Sequence, residues 1–173
     1  MRIRDKEIDR LEKYAAGLGI KILWKKYERG QVTAAEWSTD GSEITVYLWA
    51  QRSKTGIILD LVHEFAHHMA WIAADKKTPI HIDRALEADA NGEATKEHNR
   101  LIYEMEKSDA KYQERIFREL QLTIPIWKFK SRKKLDLWVY KRIWMTGKMP
   151  TEKQIRLKRQ ELDARFRRKY EAP

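Results

Sequence analysis

A chain of 173 residues, 42% hydrophobic and 10% aromatic, is long enough to bury one real core. The absence of cysteine excludes disulfides and thiolate metal sites, fits a reducing interior and leaves His and carboxylates as the metal ligands. The net charge of +10 is unevenly placed: residues 1–127 carry 20 Lys/Arg against 21 Asp/Glu, whereas residues 128–173 carry 16 against 5.

The opening MRIRDKEIDRLEK is charged throughout and lacks the apolar core of a secretory signal, so no leader is expected. Residues 5–17 are predicted as an amphipathic helix, with Ile8, Leu11, Glu12 and Ala15 at helical spacing and Gly17 near its end. LGIKILWKKY reads as a strand. AAEW and EITVYLWA, joined by the turn signal STDGS, read as a hairpin. After a connector over 52–55, a helix is predicted from 56 to about 74. Its apolar run is interrupted by Asp60, His63, Glu64, His67 and His68, too many polar groups for a membrane span, and a cytoplasmic protein is expected. Pro79 marks the next boundary, followed by a long helix over 83–107 and another over 109–120. TIPIW punctuates the chain at Pro125. Two further helices, 133–145 and 151–170, are separated by TGKMP, and Thr151 with Gln154 has the form of a capping box. The expected organisation is a main domain over 1–127 and a basic helical extension over 128–173.

LVHEFAHHMA, residues 61–70, sets His63, Glu64 and His67 in an HExxH arrangement. At about 100° per residue, Ile58, Leu61, Val62, Phe65, Met69, Ile72 and Ala73 form a broad core face. Opposite them lie His63, His67, Asp60, Trp71 and Glu64. His63 and His67 are one turn apart and can ligate one ion. Glu64 leans over the same face, within reach of an attacking water without being a ligand. Residues 55–75 contain no Lys or Arg, so this second face is expected to line a cleft rather than solvent. The motif alone leaves two readings open: a catalytic zinc site, or two buried histidines satisfied by backbone carbonyls.

A catalytic zinc takes three protein ligands and keeps a position for water. Among Asp83, Glu87, Asp89, Glu93, Glu97 and His98, helical geometry favours Glu87. Asn91, Ala94, His98, Leu101, Ile102 and Met105 fall within about 60° of it, whereas Asp89, Glu93 and Glu97 point elsewhere. A carboxylate on an inward apolar stripe needs a cation or a hydrogen-bond partner. Asn91, one turn on, could accept the free ring N–H of a ligating imidazole, and Asp60 is a second supporting candidate. His98 sits about 16 Å from Glu87 along the axis, too far to share its ion. His68 and His81 lack ligand spacing and are read as structural.

HExxH followed by Glu87, 20 residues after His67, resembles the gluzincin-type zinc metallopeptidases. More specifically it resembles the ImmA/IrrE-like metallopeptidases of phages, mobile elements and bacterial stress responses. The features are LGI at 18–20, I-x-V at 44–46, ILDLVHEFAHHM, and the run Glu87, Ala90, Asn91, in the family's order over about residues 11–105. Gly92, Glu93 and Ala94 stand where that family has a bulky aromatic and then an apolar segment. The resemblance implies an α+β, zincin-like fold, with a small antiparallel or mixed sheet packed on the HExxH helix and a glutamate helix. It implies one zinc ion held by His63, His67 and Glu87, Glu64 as general base, and hydrolysis of peptide bonds in a protein substrate, DNA-associated and repressor-like. By the same analogy, strand 43–49 is the edge along which an extended substrate lies, Tyr47 and Tyr103 are available to an oxyanion, and the setting is a host cytoplasm.

The basic extension suggests a polyanionic partner, nucleic acid or an acidic protein. Candidate contacts are Arg132, Lys133, Lys134, Lys141, Arg142, Arg156, Lys158, Arg159, Arg167 and Arg168. Interleaved aromatics, Trp127, Phe129, Trp138, Tyr140, Trp144, Phe166 and Tyr170, could stack on bases. The helical spacing of Leu135, Trp138, Val139 and Ile143 favours a role as helix anchors instead. The competing function is a non-catalytic module, zinc-containing or metal-free, that acts through these basic helices.

Overall fold

The computed structural model describes residues 5–28, 34–38, 40–49, 52–74 and 77–171. These form an α+β protein with six helices and a three-stranded mixed sheet among the described residues. No described helix is long and apolar enough to cross a membrane. The chain divides into two compact units, Met1–Ala73 with Lys111–Leu122, and Ala74–Ala110 with Thr123–Pro173.

In the first unit, α1 (Lys6–Gly17) starts where the Asp5 side chain accepts the N–H of Glu7 at 2.9 Å, and it buries Ile8, Leu11 and Ala15. Strands β1 (Lys21–Lys26), β2 (Ala35–Trp37) and β3 (Glu43–Leu48) are ordered β1-β3-β2. β3 runs parallel to β1, with Lys21 opposite Glu43, and antiparallel to β2, with Ala35 opposite Val46. The hairpin expected between AAEW and EITVYLWA forms, but its second strand is not an edge. β3 is central, which is why residues 44–48 are all buried rather than alternating. Extended substrate along 43–49 is thereby corrected: both sides of β3 are already paired.

The hairpin turn is organised by Asp40. Its carboxylate accepts from the Ser38 hydroxyl and from the N–H and hydroxyl of Ser42, which hold it well below the usual range, at about 2. Gly41 adopts φ 75° and packs so closely that a Cβ would lie 3.2 Å from the Trp71 ring.

Helix α2 (Lys54–Ala73) starts two residues before the predicted 56, because the Ser53 hydroxyl accepts the N–H of Gly56 at 3.1 Å. Ile57, Ile58, Leu61, Val62 and Phe65 are buried, and Phe65 meets Tyr14 of α1 edge to face at 5.3 Å. Ile116, Phe117, Leu120 and Leu122 complete this unit's core, and Arg10 donates to the Leu120 carbonyl at 2.6 Å.

The predicted helix over 83–107 is in fact two, α3 (Lys77–Ala90) and α4 (Lys96–Glu119). Gly92 takes φ 71°, and the N–H groups of Asn91, Gly92 and Glu93 turn back to the carbonyls of Glu87, Asp89 and Ala88, closing α3. Thr95 then opens α4. Its hydroxyl accepts the His98 N–H at 3.2 Å, while His98 Nδ1 faces the Thr95 N–H at 3.4 Å, a reciprocal cap with His in place of Glu or Gln. The break predicted before 109 does not occur. The Ser108 hydroxyl sits 2.9 Å from the Met105 carbonyl and 2.8 Å from the Asp109 carboxylate, inside a continuous helix. Residues 111–119 of α4 belong to the first unit and its earlier turns to the second.

In the second unit, α5 (Ile126–Thr146) begins directly after Pro125, seven residues before the predicted start, and buries Trp127, Phe129, Ser131 and Leu135. Gly147 caps it at φ 66°, and α6 (Glu152–Tyr170) starts with the expected capping box of Thr151 and Gln154. The two helices pack on each other, and Leu135 and Leu162 are buried. The Ser131 hydroxyl donates to Asp163, and the Trp127 ring N–H donates to Glu171.

Candidate metal centre

On α2 the four-residue spacing of His63 and His67 stacks their imidazoles on one side of the helix. Their Nε2 atoms are 3.0 Å apart and the ring planes stand at 85°. The other ring nitrogen of His63, Nδ1, is 2.9 Å from the side-chain amide of Gln113, a buried residue of α4. Seven residues earlier on the same helix, thus two turns away on the same face, is Glu106, 3% exposed.

Ring nitrogens of His63 and His67 and a carboxylate oxygen of Glu106 all lie within 4.8 Å of one another, a group able to hold a metal ion. Ligand atoms in a tetrahedral site with bonds of about 2.0–2.2 Å stand about 3.3 Å apart, so small side-chain adjustments suffice. The donors are two neutral-capable imidazoles and one carboxylate, a nitrogen and oxygen set that suits a divalent cation. The residues present therefore fit a metal.

Glu64, 8% exposed, accepts the backbone N–H of Trp37 at Oε2, at 3.0 Å. Its carboxyl is pushed up to about 7. Burial is the largest cause; His67 opposes it, Asp60 adds to it, and the Trp37 N–H pulls it back down. Asp60 is paired with Arg52, their side chains 7% and 3% exposed, and Arg52 also donates to the Tyr47 carbonyl. Asp60 is thus tied to the end of β3 while it acts on Glu64 through charge.

Of the sequence-predicted site residues, the structure brings His63 and His67 together, with Glu64 buried beside them. Glu87 is exposed near the end of α3, and Asn91 is exposed in the turn after it; neither belongs to the metal-capable group among the described residues. The stripe that singled out Glu87 ran through Gly92, where the helix ends. Sequence reasoning missed Glu106 and Gln113. The signal was present: Asn99, Ile102, Glu106, Asp109, Gln113, Ile116 and Phe117 recur at helical spacing and are all buried.

His68 points away from this group. Its ring lies edge-on to Trp37 at 6.3 Å, its Nδ1 has no hydrogen-bond partner among the described residues, and burial lowers its pKa. Tyr47 donates its hydroxyl to Glu36 at 3.0 Å, and Tyr103 stacks on Trp144 at 5.3 Å.

Among the candidate basic contacts, Lys134, Lys141, Arg156, Arg159, Arg167 and Arg168 are exposed; Arg132, Lys133, Arg142 and Lys158 are half-buried. Several are engaged internally: Arg132 with Asp136 at 2.9 Å, Lys158 with Glu161 at 2.7 Å and Arg167 with Glu171 at 2.9 Å. Trp127 and Phe129 are buried and Trp144 is stacked on Tyr103, so these aromatics anchor helices. Comparison with protein-family models, curated proteins and solved structures finds no match to the chain.

Proposed function

We propose that the protein is a zinc-dependent metallopeptidase that hydrolyses peptide bonds in a protein or peptide substrate, with one zinc ion held by His63, His67 and Glu106. The observation that carries this reading is the convergence of two imidazole nitrogens and a carboxylate oxygen within 4.8 Å, beside a buried glutamate at the second position of HExxH. Two His and one Glu with a position left for water is the donor set of catalytic rather than structural zinc.

When bound, zinc supplies Lewis-acid polarisation of the scissile carbonyl and makes the attacking water more acidic. Glu64 supplies the base. A carboxyl with a pKa of about 7 is poised to take a proton from water near neutrality and to return it to the leaving amine. The water oxygen bonds to the carbonyl carbon, the C–N bond breaks, and the proton held by Glu64 ends on the amine. The Trp37 N–H on Oε2 orients the carboxyl and leaves Oε1 for the transfer.

β2 suits an extended substrate better than β3. It is an edge of the sheet among the described residues, and while Ala34 and Ser38 pair with β3, Trp37 turns its N–H to Glu64. A peptide added along that side runs past the HExxH helix. A cytoplasmic setting accords with the cysteine-free chain.

The test is zinc content and cleavage of a degenerate peptide library. Wild type is expected to hold about one equivalent of zinc. Its loss in His67→Ala and Glu106→Ala, with retention of zinc but not cleavage in Glu64→Gln, supports the assignment. A wild type that holds no zinc overturns it.

A second role is favoured by the charge of α5 and α6: 16 Lys/Arg against 5 Asp/Glu over 128–173, with Lys134, Lys141, Arg156 and Arg159 exposed. We read this hairpin as a contact for nucleic acid that brings the peptidase to DNA-associated substrates. Fluorescence anisotropy with a labelled DNA duplex tests it, and no binding at low salt removes it.

A further inference from the structure

Helix α6 is covered along one side. Of its 19 residues Leu162 alone is buried, with Ile155, Lys158 and Phe166 half-buried beside it. At about 100° per residue, the cations Lys153, Arg156, Arg167 and Arg168 lie within about 60° of the direction opposite Leu162, and all four are exposed. Between them on the same arc stand Leu157, Gln160 and Ala164, also exposed and uncharged. No carboxylate of the helix falls on this arc; Glu171, just past its end, pairs with Arg167. Each arginine of α4, by contrast, is matched within its helix: Arg100 by Glu97, Arg115 by Glu119 and Arg118 by Glu114. Lys153 and Arg156 have no ion-pair partner among the described residues, and with Glu152, Ile155 and Arg159 they line one hollow at the start of α6.

We propose that α6 enters the major groove of double-stranded DNA. Lys153 and Arg156 at one end, and Arg167 and Arg168 at the other, meet phosphates that flank the groove, while Gln160 faces base edges. The inference deepens the nucleic-acid contact read from the charge of α5 and α6, and it rests on that reading. A helix with its side chains is about 10–12 Å across and the B-form major groove about 12 Å wide, so a helix left uncovered over most of its circumference fits it. Arg156 and Arg167 stand about 16 Å apart along the axis, so their long side chains reach the groove's margins. The shorter Gln160 and Ala164 between them let the helix approach the floor. A Gln amide pairs with N6 and N7 of adenine, and the Leu157 side chain, 54% exposed, matches a thymine methyl group. Other nucleic acids fit less well. The major groove of A-form RNA is too narrow to admit side chains. The arc carries no aromatic residue, so single-stranded bases find nothing on it to stack against.

The experiment is fluorescence anisotropy of the full chain with a labelled mixed-sequence DNA duplex, one strand of it alone, and an RNA duplex of the same sequence, over a salt series. Wild type is expected to bind the DNA duplex at least about 10-fold more tightly than the other two. Lys153→Gln with Arg156→Gln should weaken duplex binding by about 10–100-fold and reduce the slope of log Kd against log salt by about 2. Lys6→Gln with Lys13→Gln, removing equal charge from exposed positions of α1, should leave both unchanged. Circular dichroism checks that each variant is folded. A folded α6 variant with wild-type affinity overturns the proposal, as does an α1 variant weakened equally or an RNA duplex bound as tightly as DNA. If the α6 double variant does not fold, Gln160→Glu decides: a carboxylate set against the bases should cost at least about 10-fold, and full affinity overturns the proposal. Wild type that binds none of the three at low salt refutes the nucleic-acid reading as a whole.

Discussion

The backbone N–H of Trp37 donates to Glu64 across 3.0 Å, joining the edge strand β2 to the buried acid of α2. One hydrogen bond does not offset the burial of this carboxyl, which remains raised to about 7. Because the folded value exceeds the unfolded 4.5, Glu64 favours the metal-free fold fully below pH 4.5. That contribution, about 3 kcal/mol, is lost as pH rises through 7. Glu64→Gln carries no charge. It is expected to melt above wild type at pH 7.5 in chelator, with the difference closing towards pH 4.5. Parallel melting temperatures across the range would falsify the desolvation of Glu64.

Glu106 and Glu87 make opposite predictions for metal affinity. Replacing one of three ligands is expected to cost on the order of 100-fold or more, so Glu106→Gln should weaken zinc binding by at least that factor. Glu87→Gln, altering an exposed residue of α3, should leave it unchanged. Chelator competition reads both, and the reverse pattern would return the third ligand to Glu87.

Arg52 and Asp60 form an ion pair in which both side chains are nearly excluded from solvent, 3% and 7% exposed. Arg52→Met removes the guanidinium that faces the buried Asp60 carboxylate and is expected to destabilise by about 3–5 kcal/mol. Adding Asp60→Asn removes the buried charge and should recover more than half of that loss. Urea unfolding of the single and double variants checks this; additive losses would show that the two residues are uncoupled.

Gly41→Ala is expected to cost about 1–3 kcal/mol, because φ 75° disfavours a side chain and the new methyl group would press on the Trp71 ring at 3.2 Å. A change in tryptophan fluorescence should accompany the lower melting point. A variant as stable as wild type would mean that the turn and Trp71 move apart freely.

What local sequence patterns determined was the HExxH helix, the grouping of His63, Glu64 and His67 on one side of it, the pairing of Ala35–Trp37 with the strand Glu43–Leu48 and the Thr151 capping box. Each depends on contacts within one or two turns of chain. Asn91-Gly92 was equally local and is a turn dipeptide; reading a helix through it produced the Glu87 stripe. Tertiary structure alone decided the rest. That β3 is central follows from its pairing with β1, 22 positions earlier in register, which no alternation pattern encodes. That Glu106 and Gln113 meet the histidines depends on α4 running unbroken past Ser108 and burying that face. Among 26 Asp and Glu side chains, the described one whose oxygen comes within 4.8 Å of both imidazoles is Glu106, and proximity of that kind is a property of the packed chain.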